Sequence, residues 1–420
     1  MKVLWVVNKA IGKLHEKMFG KKSTGGLWLE AMVDSAKQDH EIEVIVVNVN
    51  SCSKINCFKD GNITYYTIPG SPTQDYDYKS QKSSEYWKYI ITTEKPELIE
   101  LWGTEMPYGL STLKVSEGIP HVVFVQGVLE SIGRYYRAGM STDEIRKAWS
   151  LRDFVLRETI DCEQKRYFKR SNYEKDIVSQ CGNIIVENDW AKSYYLKVNP
   201  NIKAYWCPLS LAADFSLESW DLNKMQEYTI MCPAANYPIK GLHMLLKALY
   251  VVKDKYPNVQ LLIPGTQLKA NKSIKDRLKE RGYDKYIKDL IKSLGLSSNV
   301  IYLGRLTAHD MAKAMSTSNC FVMSSAIENH SSTLKEAMTV GVPCVSSYVG
   351  GVPEYAINNY NCLLYRYEDY EMLAYNIIKL FESKELCKRL SVQSQKDMRK
   401  YLVENDIYAI HKDIYYSIIK

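Results

Sequence analysis

The sequence lacks the features that mark several classes of protein. Its ten cysteines include no Cys-x-x-Cys pair and no dense cluster, which argues against a zinc site or a disulfide framework and predicts a reducing compartment. No apolar run is long enough to span a membrane, and the run Val3–Val7 is too short for a signal peptide. With 46% apolar and 25% charged residues, the composition also excludes disorder as the dominant state.

The chain also has no strong excess of one charge. Its 55 Lys and Arg against 48 Asp and Glu give a net charge of +7, which is too diffuse for a dedicated DNA-binding protein. We therefore expect no nucleic-acid partner, whereas phosphate-bearing ligands and anionic membrane surfaces remain compatible with this charge. No Gly-x-Gly-x-x-Gly follows the first predicted strand, which excludes a Rossmann dehydrogenase. No Asp-x-Asp element is positioned for a divalent ion, so we expect no metal.

Short apolar segments alternate with longer amphipathic ones along the 420 residues, a length that predicts two or three cores. This alternation is typical of a parallel sheet with helices on both faces. A polar stretch at residues 209–227 interrupts it once, so the sequence predicts two doubly wound α/β domains joined near residue 215. The predicted strands are 2–8, 43–48, 63–67, 98–102, 121–125, 184–186, 228–232, 259–263, 300–303, 320–323, 343–346 and 362–364.

The predicted boundaries are 1–214 for the first domain, 215–403 for the second and 404–420 for a last helix, which could pack back on the first domain. A charged insertion at 134–176 lies between two strands of the first domain and is assigned to it. The insertion is interpreted either as a solvated helix with one buried stripe or as a helix that binds a membrane surface or an acceptor. The stripe consists of Ile145, Trp149, Leu156 and Ile160.

In a doubly wound sheet, ligands bind beyond the carboxyl ends of the strands. After the first strand, Gly25 and Gly26 precede a helix, where their N–H groups could approach an anion. A plain tight turn would explain the two glycines about equally well.

The strongest pattern follows the strand predicted at 320–323. Ser331 or Ser332 can cap a helix whose first N–H groups would face an anion. Glu328 precedes this helix and Glu336 lies within it, so the two carboxylates could hold hydroxyls of two sugars on either side of a diphosphate. The alternative is two solvated glutamates. His330 either contacts the donor or has a structural role in the loop.

With these residues in place, the chain resembles the retaining glycosyltransferases of the large family four, which have the GT-B architecture of two facing Rossmann-like domains. Glu328 and Glu336 match the family's Glu-x7-Glu hallmark, and Gly-x-Pro and Gly-Gly-x-Pro-Glu elements follow. The resemblance implies that Glu328 contacts the donor sugar and Glu336 the ribose. It also implies that Lys240 binds the diphosphate and that Arg305 lies in a loop that contacts the base.

Three departures from the family pattern affect the predicted site. Ala235 stands where many members have an arginine, so one phosphate-binding cation is missing or comes from elsewhere, such as Lys21 or Lys22. Asn329 and His330 replace the usual Gly and Phe, which makes the predicted donor pocket more polar.

The third departure lies in the first domain, where Gln126 and Gly127 replace a common His-Asp pair, as in polysaccharide-building members. Glu105 and Gln126 are the residues that we expect to contact the acceptor.

The resemblance implies a retaining, metal-independent glycosyltransferase without a cofactor, acting in surface polysaccharide or glycoconjugate synthesis. Lys240 and Glu328 would be its catalytic residues. Its substrates would be a UDP- or GDP-linked sugar and a saccharide or lipid-linked acceptor. We expect a cytoplasmic protein, with peripheral contact at the inner membrane face as an option. The alternatives are a catalytically silent GT-B partner or binding protein and a nucleotide-sugar epimerase on the same fold.

Overall fold

The computed structural model describes residues 1–20, 27–73, 75–209, 211–233, 236–265 and 278–420. They form two compact α/β units, each built on its own sheet, as the alternation of strands and helices predicts. The first unit consists of Met1–Glu130, Tyr167–Ser210 and Asn405–Lys420, and the second consists of Ser131–Arg166 and Leu211–Glu404.

The sheet of the first unit has eight strands: β1 (Lys2–Val7), β2 (Glu43–Asn50), β3 (Asn56–Asp60), β4 (Ile63–Pro69), β5 (Leu98–Trp102), β6 (His121–Phe124), β7 (Asn183–Val186) and β8 (Lys203–Trp206). Their order is β3-β4-β2-β1-β5-β6-β7-β8, and neighbouring strands are parallel except β3 and β4. The sequence predicts all of them but β3 and β8.

Both faces of this sheet are buried, which explains the nearly continuous apolar sequence of its central strands. Along β1, Leu4 and Val6 pack into one hydrophobic cluster, whereas Val3, Trp5 and Val7 pack into another. Because successive side chains of a strand point to opposite faces, one short strand contributes to two cores.

Helices of the first unit cover these faces: α1 (Gly12–Phe19), α2 (Leu27–Gln38), α3 (Gln81–Glu94), α4 (Tyr108–Val115) and α9 (Asp189–Val198). Four further helices connect the units or form the insertion: α5 (Leu129–Tyr135), α6 (Thr142–Lys147), α7 (Leu151–Val155) and α8 (Ile160–Gln180).

The sheet of the second unit has six parallel strands: β9 (Gln226–Met231), β10 (Gln260–Pro264), β11 (Val300–Gly304), β12 (Ser318–Met323), β13 (Cys344–Ser347) and β14 (Leu363–Tyr365). All six are predicted from the sequence. Their order in the sheet is β11-β10-β9-β12-β13-β14. The chain thus places β10 and β11 on one side of β9 and the later strands on its other side.

The remaining helices are α10 (Asp214–Leu217), α11 (Leu242–Lys255), α12 (Gly282–Ser293), α13 (Ala308–Thr317), α14 (Ser332–Val340), α15 (Tyr370–Glu382), α16 (Lys384–Glu404) and α17 (Ile407–Ile419). Short 3-10 turns lie at Pro238–Lys240 and Val352–Glu354. Among the described residues, no helix is both long and apolar enough to cross a bilayer.

The insertion differs from its prediction in two respects. Residues Ser131–Arg166 group with the second unit, not with the first-domain strands between which they lie in sequence. The reason is a set of contacts with α11 and α12, including an ion pair of 2.8 Å between Glu144 and Lys247. The predicted stripe is also broken, because Ile160 is buried while Trp149 and Leu156 are exposed.

The last helix, α17, belongs to the first unit, into which the chain returns after α16. Its Tyr415 is buried and accepts a hydrogen bond of 3.0 Å from Trp5 Nε1 on β1. His411, also buried, lies with its Nε2 3.4 Å from a carboxylate oxygen of Glu100 on β5. Polar contacts in the core therefore attach α17 to the sheet.

Candidate functional site

The candidate site of the second unit lies where the strand order of its sheet reverses. Because all strands are parallel, the loops that follow β9 and β12 leave the sheet at the same edge. Lys240 follows β9, and Glu328 follows β12. Such a switch point is the place where doubly wound sheets bind ligands.

Lys240 ends the 3-10 turn, and Gly241 follows in the left-handed region with φ of 68°. A Cβ atom on Gly241 would lie only 1.7 Å from the carbonyl oxygen of Ser324, so only glycine permits this close approach. The Ser324 hydroxyl also donates a hydrogen bond of 3.2 Å to the Lys240 carbonyl. The loop after β12 thus fixes the backbone that carries Lys240.

The Lys240 ammonium donates to Oε1 of Glu328 over 2.6 Å, and both side chains are partly buried. The structure therefore brings together the two residues that the sequence nominates as catalytic. In partly desolvated surroundings such a pair interacts more strongly than it would on an open surface. An anion that approaches Lys240 competes directly with the Glu328 carboxylate.

The Gly350–Gly351 pair holds the backbone of the Glu328 loop. Gly350 has φ of 51°, and a Cβ atom there would lie 1.8 Å from the Glu328 carbonyl oxygen. The N–H of Gly351 donates to the carbonyl of Asn329 over 3.0 Å. The Gly-Gly-x-Pro element therefore has a physical role, since it positions Glu328 and Asn329.

The start of α14 is a capped helix N-terminus. Ser331 is its N-cap and accepts a hydrogen bond of 3.3 Å from Leu334 N–H, as the sequence predicts for Ser331 or Ser332. A helix leaves its first N–H groups without intrahelical acceptors, and its dipole places partial positive charge there. The N–H groups of Ser332 and Thr333 are thus suited to a phosphate.

Glu336 lies one turn into α14 and is partly buried. Desolvation raises the pKa of its carboxyl from 4.5 to about 7, although the nearby Lys335 ammonium lowers it. Near neutral pH this carboxyl is therefore partly protonated, and a ligand that donates hydrogen bonds to it would favour its ionised form.

His330 lies in the interior, although the sequence leaves a donor contact open. Its Nδ1 is 3.1 Å from the fully buried Lys335 ammonium, which can only donate, so the network assigns the ring proton to Nε2. The ring also meets Tyr355 edge to face at 4.7 Å between centroids. These contacts give His330 a structural role, and its donor contact stays a prediction.

Arg305 and the Gly25–Gly26 pair are also predicted to bind the donor. Arg305 is exposed and directly follows β11, so it lies at the same sheet edge as the switch point but three strands away from β12. Gly25 and Gly26 lie outside the described residues, as do Lys21, Lys22 and Ala235.

Glu105 and Gln126 of the first unit follow the neighbouring strands β5 and β6. Gln126 Nε2 donates to the Trp102 carbonyl over 3.2 Å, and Asn8 Nδ2 lies 3.4 Å from a Glu105 carboxylate oxygen. Burial raises the pKa of the Glu105 carboxyl. The two predicted acceptor residues therefore share the carboxyl edge of their sheet with Asn8, which follows β1.

Glu174 on α8 was not identified from the sequence. It is fully buried and accepts hydrogen bonds from the hydroxyls of Thr104 and Tyr195, both at 2.8 Å, and from Leu129 N–H at 3.1 Å. Burial raises the pKa of its carboxyl to about 8. Glu174 thereby ties the loops that carry Glu105 and Gln126 to α8. Its place one turn before the buried Ile177 and Val178 is the signal that could have revealed it.

His243, three residues after Lys240, was also missed. It is buried, and its Nε2 lies 2.8 Å from the Ala138 carbonyl oxygen, which also accepts from the Tyr367 hydroxyl at 2.8 Å. Burial lowers the pKa of His243 to about 4, so the neutral ring donates from Nε2. The insertion is therefore fastened to the helix that starts immediately after the Lys240 turn.

Parts of the chain are similar to proteins whose names describe sugar-conjugate synthases. Over 134 residues the chain is 26% identical to N-acetyl-alpha-D-glucosaminyl L-malate synthase of Bacillus anthracis, covering 32% of this chain and 35% of that protein. Over 155 residues it is 28% identical to mannosylfructose-phosphate synthase of Agrobacterium fabrum, covering 36% and 32%. The chain thus spans about a third of the length of these relatives.

Solved structures resemble the chain over nearly its whole length. Sucrose-phosphate synthase from Thermosynechococcus elongatus has a TM-score of 0.71 at 15% identity, with 99% of this chain and 98% of that chain covered. Anabaena HepE in complex with UDP has a TM-score of 0.64 at 16% identity, with 99% of both chains covered. At such low identity the likeness shows the fold, which is GT-B, as the sequence predicts.

The family comparison matches residues 214–397 to the family described as Glycosyl transferases group 1. This range contains Lys240, Arg305, Glu328 and Glu336. Residues 214–397 are therefore similar to the group 1 glycosyltransferases, and the chain has a GT-B fold.

Proposed function

We propose that the protein is a retaining glycosyltransferase that moves a sugar from a UDP- or GDP-linked donor to a saccharide or lipid-linked acceptor, in the synthesis of surface polysaccharide or glycoconjugate. The observation that carries this proposal is the 2.6 Å contact between Lys240 and Glu328 at the switch point of the second unit. The names of the relatives support it, since they describe syntheses of sugar conjugates.

In this proposal the second unit binds the donor. Lys240 and the first N–H groups of α14 hold the diphosphate, because both present positive charge at the switch point. Glu328 and Asn329 contact the sugar hydroxyls, and Glu336 accepts hydrogen bonds from the ribose. Arg305 contacts the base. A structural neighbour described as a complex with UDP-glucose supports a nucleotide sugar as donor.

Cleavage of the glycosidic bond leaves negative charge on the departing diphosphate. Lys240 and the start of α14 stabilise this charge, which lowers the barrier without requiring a metal. The acceptor hydroxyl attacks from the face that the diphosphate leaves, and a departing phosphate oxygen takes its proton. Glu328 and Glu336 bind hydroxyls in this scheme, so neither acts as the nucleophile of a double displacement.

The first unit supplies the acceptor contacts. Glu105 and Gln126 present a carboxyl group and an amide, which suit the hydroxyls of a saccharide. The Glu174 contacts support this assignment, because they hold both loops from a single buried side chain. The acceptor could also be lipid-linked, which would bring the protein to a membrane surface.

The test is donor turnover without acceptor. Wild-type protein is incubated with a panel of UDP- and GDP-sugars, and released nucleoside diphosphate is measured in EDTA and in magnesium. We expect slow hydrolysis of one donor in both conditions and a loss of about 10²-fold or more in Lys240→Ala. Lys313→Ala removes an exposed lysine of the same unit and should match the wild type.

Four results would contradict the proposal. Binding of nucleotide sugars without any turnover would indicate a silent binding protein, and an epimerised sugar nucleotide would indicate an epimerase. An inverted anomeric configuration of the sugar first released by hydrolysis, read by NMR, would refute retention. Activity that is lost in EDTA and restored by magnesium would refute leaving-group stabilisation by Lys240 and α14 alone.

A further inference from the structure

The insertion exposes a dense cluster of large apolar side chains. Trp149, Phe154 and Val155 are 47%, 62% and 68% exposed, and Leu151 and Leu156 are about half exposed. We call these five residues the apolar tip. Single exposed apolar residues are normal on a protein surface, but five within one short segment mark an interaction site.

Polar contacts on the inner side hold the apolar tip in place. The Ser150 hydroxyl caps α7 by accepting from Asp153 N–H at 3.2 Å, and Asp153 accepts from Gly282 N–H at 2.7 Å. Arg152 binds Asp153 at 2.8 Å and Glu158 at 2.6 Å. A Cβ atom on Gly282 would lie only 1.9 Å from the Ala148 carbonyl oxygen. The exposed apolar side chains thus belong to an ordered element.

The acidic residues nearest the apolar tip are held in ion pairs with other cations. Glu144 is paired with Lys247 of α11, and Asp153 and Glu158 share Arg152. In the described part of the chain, the exposed guanidinium groups of Arg146 and Arg157 form no ion pair. The apolar tip is therefore flanked by two cations without carboxylate partners.

We propose that the apolar tip inserts into the interfacial region of an anionic lipid bilayer. Aromatic and aliphatic side chains next to arginines are the composition of membrane-interface elements, and the unpaired cations complement anionic headgroups. This interaction surface goes beyond the proposed transfer reaction and requires neither donor nor acceptor. It also lies on the unit that carries Lys240 and Glu328, not on the first unit as the insertion's sequence position suggests.

Flotation with lipid vesicles tests the proposal. The full chain is mixed with vesicles of phosphatidylcholine alone or of phosphatidylcholine with phosphatidylglycerol, without nucleotide. We expect binding to the mixed vesicles, a loss of about tenfold or more in the double variant Phe154→Ser/Val155→Ser, and no loss in Leu217→Ser/Val392→Ser. The control removes two exposed apolar side chains of the same unit outside the apolar tip.

A second double variant tests the electrostatic contribution to membrane binding. Arg146→Gln/Arg157→Gln should weaken binding to the mixed vesicles and reduce its dependence on salt. Unchanged thermal melting would show that each variant is folded.

Either of two results would overturn the proposal: wild-type protein that does not float with the mixed vesicles, or a Phe154→Ser/Val155→Ser variant that floats equally well. Self-association of the wild type in sedimentation, lost in that variant, would assign the apolar tip to a second copy instead. Donor hydrolysis, measured separately, reports on the transferase proposal alone.

Discussion

At the scale of single residues, the ion pair between Lys240 and Glu328 determines what an incoming donor must displace. In the proposed mechanism the diphosphate takes over Lys240, so the Glu328 carboxylate opposes binding of the nucleotide alone. We therefore predict that Glu328→Gln binds free nucleoside diphosphate several-fold more tightly, while transfer falls by about 10²-fold or more because the sugar contact is lost. Calorimetry and initial rates measure the two effects.

Glu385→Gln is the matched control, since it removes an exposed carboxylate from α16 of the same unit. Weaker nucleotide binding in Glu328→Gln, with Glu385→Gln unchanged, would mean that Glu328 orients Lys240 for the diphosphate and does not compete with it.

Glu336 links stability to nucleotide binding. Its carboxyl has a folded-state pKa of about 7 against an ordinary 4.5. Between these values the folded protein binds more protons than the unfolded chain, so stability falls as pH rises from about 4.5 to 7 and the loss persists above. We predict that Glu336→Gln raises the melting temperature at pH 8 by roughly 2–4 °C or more, with little gain at pH 4, and weakens nucleoside diphosphate binding.

Scanning calorimetry at the two pH values, with nucleotide titrations, measures this prediction. A gain in melting temperature that is equal at pH 4 and pH 8 would assign the effect to packing, and unchanged nucleotide affinity would remove Glu336 from the ribose site.

At the scale of elements, Gly350 couples the loop after β13 to the loop that carries Glu328. An added Cβ would meet the Glu328 carbonyl oxygen at 1.8 Å, so Gly350→Ala must displace the Glu328 backbone. We predict a loss of transfer of roughly tenfold or more, because sub-ångström positioning of a binding group affects the rate steeply. Steady-state kinetics with the donor varied provides the measurement.

Gly295→Ala separates this effect from backbone strain. Gly295 has φ of 65°, similar to Gly350, but only the Lys253 ammonium, at 3.9 Å, lies within 4 Å of its added Cβ. Both variants should lose about 1 kcal/mol of stability from the left-handed conformation. Equal losses of transfer in the two would show that strain, not the Glu328 contact, is responsible.

The elements that the sequence predicts are those with a local signal. Every strand of the second sheet is predicted because buried parallel strands are short apolar runs between amphipathic helices. β3 and β8 are missed because polar or exposed residues interrupt their apolar pattern, as in the β3 sequence Asn-Cys-Phe-Lys-Asp. The Gly-Gly-x-Pro element and the Ser331 cap are local as well, and the structure places both beside Glu328.

The docking of the insertion could not be predicted, because its contacts join residues that are distant in sequence. Glu144 pairs with Lys247, and the Ala138 carbonyl accepts from both His243 and Tyr367. Nothing in the helical spacing of the insertion specifies these partners. The stripe prediction also failed at Trp149 because caps at Ser141 and Ser150 break the segment into short helices.

At the scale of the whole molecule, the chain does not divide at a single point. Residues Ser131–Arg166 join the second unit and Asn405–Lys420 join the first, so each unit contains segments from both halves of the sequence. Deleting α17 should therefore destabilise the first sheet, which begins with β1. A single domain boundary near residue 215 would instead place α17 in the second domain.

The contacts of His411 make the packing of α17 on the first sheet depend on pH. Its Nε2 faces the Glu100 carboxylate at 3.4 Å, and its Nδ1 lies 3.1 Å from the Cys207 thiol. The Tyr415 hydroxyl also donates to Glu100. Although burial opposes charge, Glu100 raises the pKa of His411 from 6.5 to about 10. The charged imidazolium thus stabilises the folded unit, fully below pH 6.5, and this contribution is lost as pH rises towards 10.

We therefore predict that His411→Gln lowers the melting temperature of the first unit by several degrees at pH 6, because Glu100 is left buried without its cation. The difference from the wild type should shrink steadily between pH 7 and 10. Thermal melts across this range, followed by the near-ultraviolet signal of the buried Trp5 and Trp102, measure the effect, and His309→Gln on the exposed surface of α13 is the control. A deficit that stays constant from pH 6 to 10 would show that His411 contributes packing alone and is uncharged in the folded protein.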